Sequence, residues 1–185
     1  VTGENRYTIS NAILYKYTVD GNGNATIIDV PDGIEGEIAI PQNIGSAKVV
    51  SIGNEAFEDC ALITCVIIPE GVTHIGRDAF SWCESLESIK IPSSVAYIGD
   101  GAFSLCDNIG SVYISDLKAW CEITFDNSTC GRANPLAYGA DLYLNDLLVQ
   151  NLNIPNSVTF IGKYAFYGCS GLTSITIPNS VTFIG

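Results

Sequence analysis

The chain has 185 residues, 47% of them hydrophobic, and 8 Lys plus Arg against 20 Asp plus Glu give a formal net charge of -12. That charge repels nucleic-acid phosphates and anionic membrane surfaces, and no window reaches the roughly 20 apolar residues of a bilayer-spanning helix. The length suits one compact domain or one run of stacked repeats with no second core, and from the absence of Met, Val1 is expected either to lie downstream of a removed leader or to begin an excised piece of a longer chain.

Near the start, Tyr15-Lys16-Tyr17-Thr18-Val19 and Ala25-Thr26-Ile27-Ile28 alternate as strands around Asp20-Gly21-Asn22-Gly23-Asn24. This pattern predicts a hairpin with a Gly/Asn turn, covering the first coil of whatever follows. The turn superficially resembles a calcium loop, but its sixth position is Ala25 rather than Gly and its twelfth is Pro31 rather than Glu, so it reads as a plain turn.

From there the sequence repeats. Ile75-Gly76-Arg77-Asp78-Ala79-Phe80-Ser81-Trp82-Cys83 returns 23 residues later as Ile98-Gly99-Asp100-Gly101-Ala102-Phe103-Ser104-Leu105-Cys106. Other copies start at Ile52 and Ile161, and the phrase restarts at Ile184-Gly185. A second phrase, Val66-Ile67-Ile68-Pro69, recurs as Ile89-Lys90-Ile91-Pro92, Val112-Tyr113-Ile114-Ser115, Leu152-Asn153-Ile154-Pro155 and Ile175-Thr176-Ile177-Pro178. Its alternation is that of a strand, and proline, with no N–H for a ladder, ends it at a corner. In the first phrase, Ile75, Ala79, Phe80 and Cys83 are spaced to share one face of a short helix or helical turn. A 23-residue unit cannot close a core alone and must stack on its neighbours about 4.8 Å apart. The predicted architecture is an α/β repeat solenoid: a parallel β-sheet on the concave face, short helices or helical turns opposite, and a β-hairpin-like N-terminal cap.

Between Ser115 and Pro155 the spacing is 40 rather than 23, so 17 extra residues are expected as a loop on one side. Within it Leu117, Trp120 and Cys121, behind Asp116 as N-cap, predict a short amphipathic helix docked by its indole. The organisation is therefore read as a strand-rich cap and first coil over 1–45, 23-residue repeats over 46–115, an elongated repeat with a helix-loop insertion over 116–150, and repeats again over 151–185, the last truncated. More repeats or another module are expected beyond Gly185.

The phrase I-G-x-x-A-F-x-x-C-x-x-L-x-x-I-x-I-P, agreeing over several copies, resembles the BspA-like leucine-rich repeats of bacterial and protist surface proteins. That resemblance implies a leucine-rich-repeat fold, secretion or display on the cell surface, and adhesion to a protein ligand such as a host matrix or cell-surface protein.

Cys60, Cys83, Cys106 and Cys169 occupy one column of the repeat, where one side chain per coil faces the core, and are read as buried free thiols. Cys65 falls on a strand's outward phase; Cys121 and Cys130 flank the Ile123 to Thr129 loop and are the one bridge considered, with Cys121 as a buried helix residue the alternative. With His74 the single histidine and no C-x-x-C pair, no metal site or cofactor is expected. No G-x-S-x-G, P-loop or H-E-x-x-H phrase accompanies it, so the segment is not read as an enzyme.

Two outward columns are candidate binding surfaces. The strand phase opposite the buried Ile and Val places Ile67, Lys90, Tyr113, Asn153 and Thr176 along the concave sheet, beside Cys65, Ser88, Ser111, Asn151 and Ser174. A stripe before each Ile-Gly holds His74, Tyr97, Phe160 and Phe183, either as an aromatic strip for a protein or glycan or as coil-to-coil stacking. The expected partner is a protein ligand or a glycan, met by a monomer, with no nucleic acid and no membrane insertion. The alternative role is a structural spacer displaying a separate catalytic or adhesive domain beyond residue 185.

Overall fold

The computed structural model describes residues 5–10, 12–126 and 132–185. Each coil contributes a strand to one sheet, turns a corner, adds a two-residue strand to a second sheet, and returns through a run of turns. The first sheet holds Glu35–Ala39, Leu62–Ile67, Ser88–Ile91, Ser111–Ile114 and Asp141–Leu144, all parallel, and ends on the antiparallel strand Leu147–Leu148. The second runs from Ala47–Ile52 through His74–Ile75 and Tyr97–Ile98 to Thr124–Phe125, also parallel. Two more parallel pairs follow: Asn151–Asn153 with Ser174–Thr176, and Phe160–Ile161 with Phe183–Ile184. The corner proline of each coil has its carbonyl engaged by the valine that turns the chain inward, as Val95 N to Pro92 O at 3.3 Å and Val158 N to Pro155 O at 3.0 Å.

At the start, Ile13–Val19 and Asn24–Asp29 form the antiparallel hairpin read from the sequence, and Asn24–Asp29 docks parallel on Ala47–Ile52, so the hairpin covers the first coil. Its outer edge carries a further strand, Arg6–Ser10. The loop is the plain turn expected: the Asp20 carboxylate accepts the backbone N–H groups of Asn24 and Asn22, both at 2.8 Å. The Asn24 contact first of all holds the Asp20 carboxyl below its ordinary range.

The side expected to carry short helices or helical turns carries left-handed tight turns in most coils. Among the described residues, helix is confined to Leu117–Cys121 and to the 3-10 turn Pro135–Tyr138. In the Ile-Gly phrase the fourth and eighth residues have positive φ in every copy: Glu55 and Asp59, Asp78 and Trp82, Gly101 and Leu105, Tyr164 and Gly168. A left-handed residue every fourth position prevents a helix and closes one turn after another. The backbone then points its donors along the stack. Glu55, Phe57 and Asp59 N–H donate to Arg77, Ala79 and Ser81 carbonyls at 2.8 to 2.9 Å. Ala79, Phe80 and Cys83 still share the inward side, as the spacing implied, and all three are fully buried.

The glycine of the phrase is fixed by close approach. A Cβ on Gly76 would sit 2.5 Å from the backbone of Gly53 and Asn54, and one on Gly99 2.6 Å from Arg77 N. Inside, rings stack coil on coil, Phe57 on Phe80 at 5.0 Å and Phe80 on Phe103 at 5.5 Å between centroids. Cys60, Cys83 and Cys106 are buried beside them, whereas Cys169, expected to be buried in the same column, is only half-buried; the Cys83 thiol donates across the stack to Phe57 O at 3.3 Å and that of Cys106 to Phe80 O at 3.0 Å.

The extra residues divide into two parts. Ser111 pairs with Asp141, a coil of 141 − 111 = 30 residues, and the next strand starts at Asn151, a further 151 − 141 = 10. The 30-residue coil replaces the prolyl corner by the helix Leu117–Cys121, N-capped by Asp116 as read from the sequence. Trp120 is buried, and its indole N–H donates to Ala165 O at 2.9 Å, tying this coil to the one after it. The 10-residue step is a hairpin turned by Asn145 and Asp146, both at positive φ. The pairing considered for Cys121 and Cys130 lies partly outside the described residues, because Cys130 is not among them.

Candidate binding surface

Strand alternation buries Val66, Ile89, Val112 and Leu142 and turns the residues after them outward. Parallel register then aligns Ala39, Ile67, Lys90, Tyr113 and Tyr143 in one row across the first sheet. Tyr113 and Tyr143 stack face to face, 4.7 Å between centroids and 24° between planes. Lys90 reaches toward the hairpin tip, its Nζ 3.8 Å from Asp146 Oδ1. The companion row is Glu37, Cys65, Ser88, Ser111 and Asp141, whose small members leave relief beside the rings.

Ile67, Lys90 and Tyr113 are thus neighbours, as the spacing implied. Asn153 and Thr176 do not continue their row. They pair with each other in the separate Asn151–Asn153 ladder, and Asn151 and Ser174 leave the companion row in the same way. Tyr143, which the 23-residue spacing does not reach, takes the place after Tyr113. The signal was there: Asp141-Leu142-Tyr143-Leu144 repeats the polar, apolar, aromatic, apolar order of Ser111-Val112-Tyr113-Ile114, without the closing proline.

The stripe before each Ile-Gly is also divided. Ser51, His74, Tyr97 and Thr124 stand in register on the second sheet, so a threonine follows Tyr97, while Phe160 pairs with Phe183 in its own ladder. His74 and Tyr97 rings lie 5.9 Å apart. Tyr97 donates its hydroxyl to Asp126 Oδ2 at 3.0 Å, and burial followed by that contact raises its pKa. This half is committed to coil-to-coil contacts; Phe160 and Phe183 are exposed.

Beside the tyrosine row a groove of about 430 Å³ opens between the hairpin and the strand Asn151–Asn153. Its walls include Leu117, Leu144, Leu147, Leu148 and Leu152, and Leu147 is 73% exposed. Among the described residues no three His, Cys, Asp or Glu side chains gather as a metal site, and no helix is long and apolar enough to cross a membrane.

Comparison with known families gives six copies of the BspA type leucine rich repeat region, over residues 37–132 and 139–185. The chain belongs to this family. Its BspA-type stack is similar in fold to a leucine rich repeat protein of T. pallidum, at 21% identity over 92% of this chain and 78% of that one, with a TM-score of 0.55. It is also similar to a leucine rich cell surface protein of Faecalibacterium prausnitzii, at 25% identity with a TM-score of 0.59. There all of this chain is covered but only 46% of the other, so the BspA-type array spans less than half of that protein. A leucine-rich repeat protein of Bacteroides capillosus, at 24% identity, matches 66% of this chain and 98% of its own, with a TM-score of 0.50. A search of curated proteins finds no match.

Proposed function

We propose that this BspA-type array is the binding module of an exported or cell-surface protein, adhering to a protein partner such as a host matrix or cell-surface protein. The observation that supports this reading best is the outward row in which Tyr113 and Tyr143 stack beside Ile67 and Lys90. Protein interfaces favour such a composition, since Tyr brings a large rigid apolar face with a polar tip and costs little conformational entropy to fix. Parallel strands fix the row's spacing, so little ordering is left to oppose binding. The negative charge directs the module toward partners with cationic surfaces, and the family and the cell-surface protein of Faecalibacterium prausnitzii are consistent with display outside the cell.

The test is an array of matrix proteins, cell-surface proteins and glycans probed with the chain and with its Tyr113→Ala/Tyr143→Ala variant. Interface hot spots cost at least about 2 kcal/mol on truncation, roughly 30-fold in affinity. We expect a loss of that size with a small change in melting temperature. Parallel loss of affinity and stability assigns the tyrosines to the scaffold, and binding to glycans alone replaces the protein partner.

A further inference from the structure

The interruption that displaced Asn153 from the tyrosine row also leaves one edge of a strand without a neighbour among the described residues. From Leu62–Ile67 to Asp141–Leu144, each strand of the first sheet is paired on both sides. Among the described residues, Asn151–Asn153 is paired on one side only, with Ser174–Thr176. The Gln150 carbonyl accepts from Ser174 N–H and the Ile154 N–H donates to Thr176 O, so the even-numbered residues turn their backbone groups toward that partner. By the alternation of a parallel ladder, the N–H and C=O of Asn151 and Asn153 point the other way, toward the groove.

Across the groove, Leu147–Leu148 belongs to the hairpin with Asp141–Leu144, and Val149 still donates to Leu142 O at 2.9 Å. The chain bends at Gln150, and the two strands do not pair with each other among the described residues. An open strand edge is thus flanked by apolar side chains from the hairpin and from Leu117. Exposed edges of this kind are normally blunted by charge, proline or cover. Here the strand that faces the edge carries Leu147 and Leu148, 73% and 44% exposed.

We infer that this groove receives an extended segment of a partner protein, in which apolar and basic residues alternate, and that the segment adds as a strand to the Asn151–Asn153 edge. Its backbone completes the hydrogen bonds of Asn151 and Asn153, and its apolar side chains enter between Leu117, Leu147 and Leu148. Strand addition of this type takes affinity from the main chain and selectivity from alternate side chains. Basic residues are selected because the groove lining is itself uncharged, Asp146 adjoins it at Leu147, and the chain as a whole is strongly acidic. Asp146 stands at the hairpin tip with 74% of its side chain exposed, Asp116 precedes Leu117, and the net charge is -12. Lys90 lies 3.8 Å from Asp146, a loose contact that an incoming cation can replace. The inference does not depend on the tyrosine row, and the two are separable by mutation.

The probe is a fluorescein-labelled octapeptide of alternating valine and lysine with blocked ends, titrated against the whole chain by fluorescence anisotropy at physiological ionic strength. Saturable binding is expected, with slower amide exchange at Asn151 and Asn153. Methylating alternate backbone nitrogens of the peptide, or making the Leu147→Ser/Leu148→Ser variant, is expected to weaken it about tenfold. Tyr113→Ala is expected to leave it unchanged. Because both leucines are exposed, the variant retains its melting temperature, and exchange on the unaltered chain gives a second readout. No saturable binding below about 1 mM overturns the inference, as does equal affinity of the methylated peptide. Weakening by Tyr113→Ala and not by the leucine pair moves the peptide to the tyrosine row and also overturns it.

Discussion

Replacing Phe80 by Ala tests how the stack holds together. Phe80 is fully buried, with its ring 5.0 Å from that of Phe57 and 5.5 Å from that of Phe103. Truncating a buried Phe costs about 3–5 kcal/mol, and each lost ring pair adds about 0.5–1.5 kcal/mol beyond area, partly contained in that figure. A total of about 5 kcal/mol, at roughly 2–4 °C per kcal/mol for a chain of this size, lowers the melting temperature by roughly 10–20 °C. Thermal melts followed by far-UV circular dichroism measure the size. Hydrogen exchange measures the reach, because a repeat array transmits a defect mainly to the adjoining coils. Amides of residues 52–60 and 98–106 should lose more protection than those of the N-terminal hairpin. A shift below about 3 °C, or equal loss of protection along the chain, would show that the rings are not what couples the coils.

Gly99→Ala places a Cβ 2.6 Å from the backbone nitrogen of Arg77, which cannot move without breaking the stack. Melting should fall by at least as much as for Phe80→Ala, whereas Gly110→Ala, whose Cβ meets nothing closer than 4.0 Å, should change it little. Trp120→Phe removes the indole donor to Ala165 O, costing about 1–2 kcal/mol in melts, and should speed exchange in residues 161–169 before residues 75–83. Burial raises Tyr15 to about 12, Cys60 to about 11 and Cys121 to about 12, from ordinary values of 10.0, 9.0 and 9.0. Above pH 9 the unfolded chain therefore loses protons that the folded chain keeps. The contribution of these three groups should be level from neutral pH to about 9 and fall as pH rises toward 12, and a melting temperature unchanged up to pH 11 would contradict this.

Much of the fold was legible because the same physical demand recurs in every coil. Alternation gave the strands, proline the corners, and the Ile-Gly and cysteine columns the stacking positions. The turns opposite were misread as helical because Ile75, Ala79, Phe80 and Cys83 satisfy both geometries. The deciding feature is left-handed backbone at Asp78 and Trp82, and neither residue type announces it. Glycine does stand at such a position in two copies of the phrase, Gly101 and Gly168, and that was the available hint. The outward row of the first sheet was legible as far as Tyr113. Beyond it, spacing alone could not divide 17 extra residues into a longer coil and a hairpin, so Tyr143 was passed over and Asn153 was set in its place. The dipeptide Asn145-Asp146 between two apolar runs was the available sign of that hairpin.

Hydroxyl-radical footprinting of the chain with and without its captured protein partner tests the binding surface most directly, because it reports side chains across the surface in one experiment. Tyr113, Tyr143 and Ile67 should be shielded from oxidation in the complex, while Trp82 and Tyr167, exposed on the turn side, should oxidise as in the free chain. Shielding of Trp82 and Tyr167, or of Phe160 and Phe183, with Tyr113 and Tyr143 unchanged would contradict the assignment of binding to the tyrosine row.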